Sequence, residues 1–193
     1  ICEAYFAAAA ELGIPRNDDM TGENQEGAGY YQLTQRNARR SSAAMAYLAP
    51  NRHRPNLTVR TGAQVKRITV EGARATGVEM MDGSRIMATS EVLLASGAIG
   101  SPRMLMLSGI GPADHLAEVG VTPVFDQAGV GGNFQDHLDL FVIAEVTGPH
   151  TYDRYAKPHW SALAGLEYLL TRKGPVASSL FETGGFWYAD KDA

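Results

Sequence analysis

The sequence predicts an α/β fold with α+β character: helices covering a mixed sheet, with strands of a second sheet beside it. Three observations predict this. Helical and strand patterns are interleaved along the chain. Asp82-Gly83, set between Val78-Glu79-Met80 and Arg85-Ile86-Met87, is a hairpin signal. Glu91 to Ala95 runs on in apolar residues, as a strand buried on both faces does.

The elements follow in order. Residues 1–13 carry Ala, Glu, Leu and aromatics, then Gly13 and Pro15, and read as a helix with a glycine stop. Residues 16–31 are polar and glycine-dotted, a loop, with a short strand at Tyr30 to Thr34. Ser41 or Ser42 caps a helix over Ala43 to Leu48 that Pro50 ends. Leu57, Val59, Val65, Ile68 and Val70 fall in short β-prone runs punctuated by Gly72 and Gly77. A helix over 101–108 takes Ser101 as N-cap and Pro102 as its first residue. A second, over 112–119, stops at Gly120, and Val121 to Phe125 is a short strand. "GVGGNFQDH", residues 129–137, is a glycine-rich loop, and Leu138 to Val146 has the content of a strand. His159 to Arg172 is an amphipathic helix, with Trp160, Leu163, Leu166 or Glu167, and Leu170 near helical spacing. Phe181 to Tyr188 is again strand-like.

Composition narrows the function classes. Of 193 residues, 45% are hydrophobic and 20% charged, the values of an ordinary globular protein with a real core. A net charge of -4 gives no argument for nucleic acid, and Arg36, Arg39 and Arg40 read as a solvated or ion-paired surface. The single cysteine, Cys2, excludes an internal disulfide and a cysteine-based zinc site, and no metal centre is expected. It suits a reducing compartment, and the expected location is the cytoplasm. No apolar run reaches the roughly 20 residues of a membrane span, and no secretory signal pattern is present. The chain starts at Ile1, directly in a helical pattern, and reads as a piece of something longer.

The small residues Ala95, Ser96, Gly97 and Ala98, between an apolar strand and a helix, raise the first chemical question. Small side chains at a strand's carboxyl end let a ligand approach the backbone, and the next helix offers free N–H groups to an anion. A dinucleotide lying against the strand end fits this pattern. So does a tight strand-to-helix connection with no ligand.

"GAIGSPRMLMLSGIG", residues 97–111, resembles the second signature of the glucose-methanol-choline (GMC) oxidoreductases, FAD-dependent enzymes that oxidise alcohols. "GYYQLTQRNARRSSAAMAYLAP", "RPNLTVRTGAQVKRI", "GVGGNFQDH" and "FETGGFWY" are similar to further segments of that family. The likeness covers nearly the whole chain and leans to the choline dehydrogenase-like branch.

The resemblance implies a partial FAD-binding domain plus part of an antiparallel-sheet substrate domain. Residues 1–38 and 138–193 would belong to the substrate domain and 39–137 to the centre of the FAD-binding domain. It places Val65 against the adenine of FAD, although a core valine would have the same residue type. It sets Ala95, Ser96, Gly97 and Ala98 beside the cofactor, with Asn133, Gln135, Asp136 and His137 in a loop near the flavin. Asp136-His137 reads as a hydrogen-bonded turn, and His137 is not the family's catalytic histidine. Glu182 is the candidate catalytic-site residue. In choline-oxidising relatives a carboxylate in such a segment faces the substrate ammonium, with aromatic faces such as Phe181, Phe186 or Trp187 to help. The alternatives are a glutamate held by an internal Arg or a backbone N–H, or one that is exposed.

The departures are as informative. The family's GxGxxG fingerprint, its first signature and its C-terminal catalytic histidine motif are absent, and His150 and His159 lie too early to supply the last. The expected partners are a small alcohol substrate and the missing N- and C-terminal parts of the same enzyme. Catalysis would need a base for the hydroxyl proton while hydride passes to the flavin, and the isolated chain is expected to be inactive. A non-catalytic GMC-like fold or interaction domain is the rival reading. A family member that cleaves a carbon–carbon bond, such as a hydroxynitrile lyase, is the third.

Overall fold

The computed structural model describes residues 1–148 and 151–188; His150 lies outside them. In chain order the elements are α1 (Cys2–Glu11), β1 (Gly27–Tyr30), β2 (Gln35–Arg36) and β3 (Arg39–Arg40). A π-helical turn (Ala44–Leu48) continues into α2 (Ala49–Asn51). Then come β4 (Val65–Glu71), β5 (Arg74–Met80), β6 (Arg85–Met87), α3 (Gly97–Leu107), β7 (Ile110–Gly111), α4 (Ala113–Glu118) and β8 (Phe125–Asp126). The 3-10 turn Tyr152–Ala156, α5 (Pro158–Thr171), the 3-10 turn Pro175–Ala177 and β9 (Thr183–Phe186) complete the set. They group into two compact units, one from Ile1–Leu57 and Val142–Ala193, the other from Thr58–Phe141.

In the first unit the two ends of the sequence meet in one antiparallel pair. β1 lies on β9 in the register Gly27↔Phe186 to Tyr30↔Thr183. The Tyr31 N–H extends the ladder by one bond to the Glu182 carbonyl at 3.0 Å. Ala9, Met20, Ala28 and Ala164 are its buried apolar residues. The strand expected at Tyr30 to Thr34 begins instead at Gly27 and ends at Tyr30, because pairing stops at Thr183. Pro50 does not end the second helix. It sits in the first turn of α2, where a missing N–H costs nothing. Neither Ser41 nor Ser42 supplies a side-chain cap: the Ser42 carbonyl accepts the Met45 and Ala46 N–H groups instead. Along α5 only Ala164 is buried, while Leu163, Leu166, Leu169 and Leu170 are all exposed.

The second unit is built on the three-stranded antiparallel sheet β4-β5-β6, whose β5–β6 turn is Asp82-Gly83 as the sequence predicts. The Asp82 carboxylate accepts the Ser84 N–H at 2.9 Å and holds that turn. Ile68, Met80 and Leu116 form its buried apolar core, with Leu116 fully enclosed.

The helix α3 starts earlier than expected. Its N-cap is Ser96 rather than Ser101, and Pro102 lies inside it rather than at its first position. Ser101 still serves the helix start, from within: its hydroxyl accepts the Ser96 N–H at 3.1 Å. At the other end Ser108 bonds in two directions. Its hydroxyl donates to the Met104 carbonyl at 2.7 Å and accepts the Ile68 N–H at 2.8 Å. One buried side chain thus closes the last turn of α3 and fixes it to β4. Ser108→Ala should strand a buried β4 N–H and destabilise the fold by about 1–3 kcal/mol, read as a lowered denaturant midpoint.

Three expected strands do not form. Glu91 to Ala95 has no regular secondary structure and pairs with nothing among the described residues, and Leu93 is 82% exposed. Leu138 to Val146 is likewise unpaired, with Leu138, Leu140 and Ile143 at 101%, 89% and 89%. Leu57 and Val59 lie in coil. A strand is defined by the ladder beside it, and hydrophobic content alone does not supply one. The strand expected at Val121 to Phe125 is reduced to Phe125–Asp126, which pairs in parallel with β7.

Candidate functional site

The sequence-predicted cofactor residues all lie in the second unit, and α3 organises them. Gly97, the first residue of the helix, has φ +82, and a Cβ added there would meet nothing within 4 Å. The corner is therefore open, and glycine is required by its backbone angle and not by a neighbour. Ser96 makes no side-chain cap bond, so the first-turn N–H groups of α3 have no such partner.

Two clefts flank this helix. The larger, about 940 Å³, has Ala98, Ser101, Pro102 and Arg103 on one wall and the loop from Gly129 to Gln135, Asn133 included, on the other. The smaller, about 630 Å³, joins Val65 and Lys66 of β4 to Ser96, Gly100 and Arg103. The fold thus brings Ala98 to Asn133, and Val65 to Ser96. Ala95 and Gly97 line neither cleft and sit exposed at the corner between them. Asn133 has φ +53, a left-handed conformation that asparagine tolerates better than most residues, so local backbone shape already explains its type. Asp136 accepts the His137 N–H at 2.8 Å, a local turn bond.

These residues fit a phosphate-bearing dinucleotide. The clefts are of ligand size, the corner has no side chain across it, and uncapped N–H groups at the positive end of an 11-residue helix suit an anion.

Glu182 lies in the first unit, immediately before β9. It is half-buried. Its carboxylate accepts the Ser178 hydroxyl at 2.6 Å, the Cys2 thiol at 3.3 Å and the Tyr152 hydroxyl at 3.4 Å. The Ser178 bond, followed by that of Cys2, holds the carboxyl below the usual glutamate range, so it is ionised at neutral pH. Burial and this same contact push the Cys2 thiol up. A cleft of about 350 Å³ is lined by Cys2, Tyr152, Arg154, Tyr155, Ser178 and Glu182. Among the described residues, neither an internal Arg nor a backbone N–H bonds the Glu182 carboxylate. The aromatic faces beside it are Tyr152 and Tyr155, whereas Phe181, Phe186 and Trp187 are exposed and line no part of this cleft. Cys2 and Tyr152 were not legible as its partners, since contacts across 180 and 30 residues leave no local signal; Ser178, four residues upstream, was within local reach.

The GMC oxidoreductase family model matches residues 1–139. The chain belongs to this family. Choline dehydrogenase, mitochondrial, of Mus musculus is 43% identical over 187 residues, covering 95% of this chain and 31% of that protein. Oxygen-dependent choline dehydrogenase of Brucella ovis is 44% identical over 186 residues, covering 95% and 34%. Among solved structures, a fungal aryl-alcohol oxidase matches with a TM-score of 0.80 at 27% identity, over 92% of this chain and 32% of that one. An FAD-dependent oxidoreductase from Chaetomium thermophilum matches with a TM-score of 0.76 at 28% identity, over 94% and 33%. The chain therefore spans 31% to 34% of the length of these curated relatives. The fold is that of GMC oxidoreductases, with mixed helices and antiparallel sheets, and the family and its FAD-dependent neighbours imply a flavin cofactor.

Proposed function

We propose that this chain forms the central part of an FAD-dependent oxidoreductase acting on the CH–OH group of a small alcohol, of the choline dehydrogenase type. The identity to choline dehydrogenases across 95% of the chain carries this reading. The flavin, when bound, accepts the hydride of the carbinol carbon. Ala98 and Asn133 on one side of α3, and Val65 and Ser96 on the other, would hold the dinucleotide, with Gly97 leaving the backbone corner bare and Ala95 leading into it.

Glu182 would bind the substrate's cationic end. Its ionised carboxylate has the charge, and Tyr152 beside it the aromatic face, that a quaternary ammonium selects, while the Tyr155 ring is covered by the Arg154 guanidinium at 4.7 Å. Ser178, Cys2 and Tyr152 orient it. In the full-length protein Glu182→Gln should raise KM for choline by about 10- to 100-fold, the value of one desolvated charge pair, and leave KM for a neutral alcohol of similar size within about twofold. Equal losses for both alcohols would remove Glu182 from substrate recognition. The isolated 193-residue chain is expected to show no flavin-dependent alcohol turnover, because no residue in it matches the family's C-terminal histidine motif. Turnover by the isolated chain in an artificial-acceptor assay would overturn that.

A further inference from the structure

We infer that Arg103 is the cation that anchors the phosphate-bearing portion of the dinucleotide beside α3, an inference that rests on the flavin reading above. Arg103 is the one residue of α3 with a formal charge, and it lines both clefts that flank the helix. In the larger cleft it is the only charged side chain among the described residues. In the smaller it is joined by Lys66, whose ammonium is already bound to the Glu79 carboxylate at 2.8 Å. No carboxylate lines either cleft. Arg103 itself has no recorded ion pair or side-chain hydrogen bond among the described residues, whereas Lys66, Arg67 and Arg85 all converge on Glu79. The exposed Arg103, without an ion-pair partner among the described residues and with no acid lining either of its two clefts, is placed for an anion that comes from outside the polypeptide.

The helix geometry gives the direction. Residues three, four and seven apart share a helix face, so Arg103 stands above Ile99, Gly100 and Ser96. Long side chains on a helix lean back toward its N-terminus, which sets Arg103 over the first turn of α3, beside the Gly100 and Ser96 with which it lines the smaller cleft. Gly100 has no side chain to obstruct it: a Cβ there would press on the Ser96 Cβ at 3.0 Å. Guanidinium suits this role because its planar donor fork grips a phosphate through two parallel bonds.

The test uses deflavinated full-length protein and three probes: FAD, riboflavin, which lacks phosphate, and ADP. Arg103→Gln should weaken FAD and ADP binding by about 10- to 100-fold, as expected for the loss of a charge-assisted pair, and leave riboflavin affinity unchanged. Arg103→Lys should fall between. The salt dependence of FAD affinity should be shallower in Arg103→Gln than in the wild type. FAD affinity that is indifferent to both substitutions, or riboflavin affinity that falls in step, overturns the assignment while the flavin reading stands. Wild-type protein that takes up neither FAD nor riboflavin overturns both.

Discussion

Gly109→Ala should be among the most damaging single substitutions in the chain, lowering stability by about 2–5 kcal/mol, enough to remove most of the margin of a small domain. Gly109 has φ +82, and a Cβ there would stand 2.7 Å from both the Thr122 carbonyl oxygen and a Val124 methyl. Forcing a side chain into the left-handed region costs about 1–2 kcal/mol, and crowding a packed site adds about 1–3. The neighbours cannot yield easily. The Gly109 carbonyl accepts the Val124 N–H at 2.7 Å and the Phe125 N–H at 3.1 Å, so the residue that would be pushed away is bonded to the one that pushes. This also explains why α3 stops so abruptly: Ser108 closes the helix onto β4, and Gly109 turns the chain into β7. Gly62→Ala isolates the backbone contribution, since Gly62 has φ +67 and open space around it. Urea unfolding of the two variants should show the smaller loss at Gly62. Equal losses would mean that the close approach to 122–124 carries no energy.

Glu79 governs the acid stability of the second unit. It occupies the central strand directly between Arg67 of β4 and Arg85 of β6, and its side chain is 10% exposed. It binds Lys66 at 2.8 Å and Arg67 at 2.8 Å, with Arg85 at 3.6 Å. The Lys66 and Arg67 hydrogen bonds lower its carboxyl to about 2 from an ordinary value of 4.5. The folded value lies below the unfolded one. The stabilisation is therefore fully present above about pH 4.5 and is lost as the pH falls from there toward about 2. The thermal midpoint of the wild type should fall through that window. Glu79→Gln should start lower at neutral pH, because three cations are left facing one another, and should fall less across the same window. Parallel pH profiles for the two proteins would show that the cluster contributes nothing to acid stability.

What was legible in the sequence was local. Asp82-Gly83 marked the β5–β6 hairpin because its turn, Met81-Asp82-Gly83 between the facing Met80 and Ser84, needs a left-handed residue that Gly83 supplies at φ +83. Gly13, Gly120 and Arg172 mark helix ends that chain pattern alone locates well. The apolar runs at 91–95 and 138–146 misled because their residue types state a preference for burial and not a partner, and among the described residues no strand pairs with them. Pro102 misled in the opposite way. Its preference for a first helical position is real, but Gly97 and the Ser101 hydroxyl allow the helix to begin a turn earlier. In the candidate site, Val65, Ser96, Ala98 and Asn133 were named through family likeness alone, and the fold distributes them over two clefts. Arg103 and the partners Cys2 and Tyr152 of Glu182 were not visible, because their meaning lies in which side chains are unpaired or meet across the fold.

A flavin seated at the open corner of α3 and reduced by an alcohol would be seen in the visible absorption spectrum of the purified full-length protein, before and after anaerobic addition of choline or a simple alcohol. The expected result is a yellow protein whose flavin band bleaches on addition of substrate and returns with an electron acceptor. A colourless protein that stays colourless after incubation with FAD, or a bound flavin that no alcohol reduces, would contradict it.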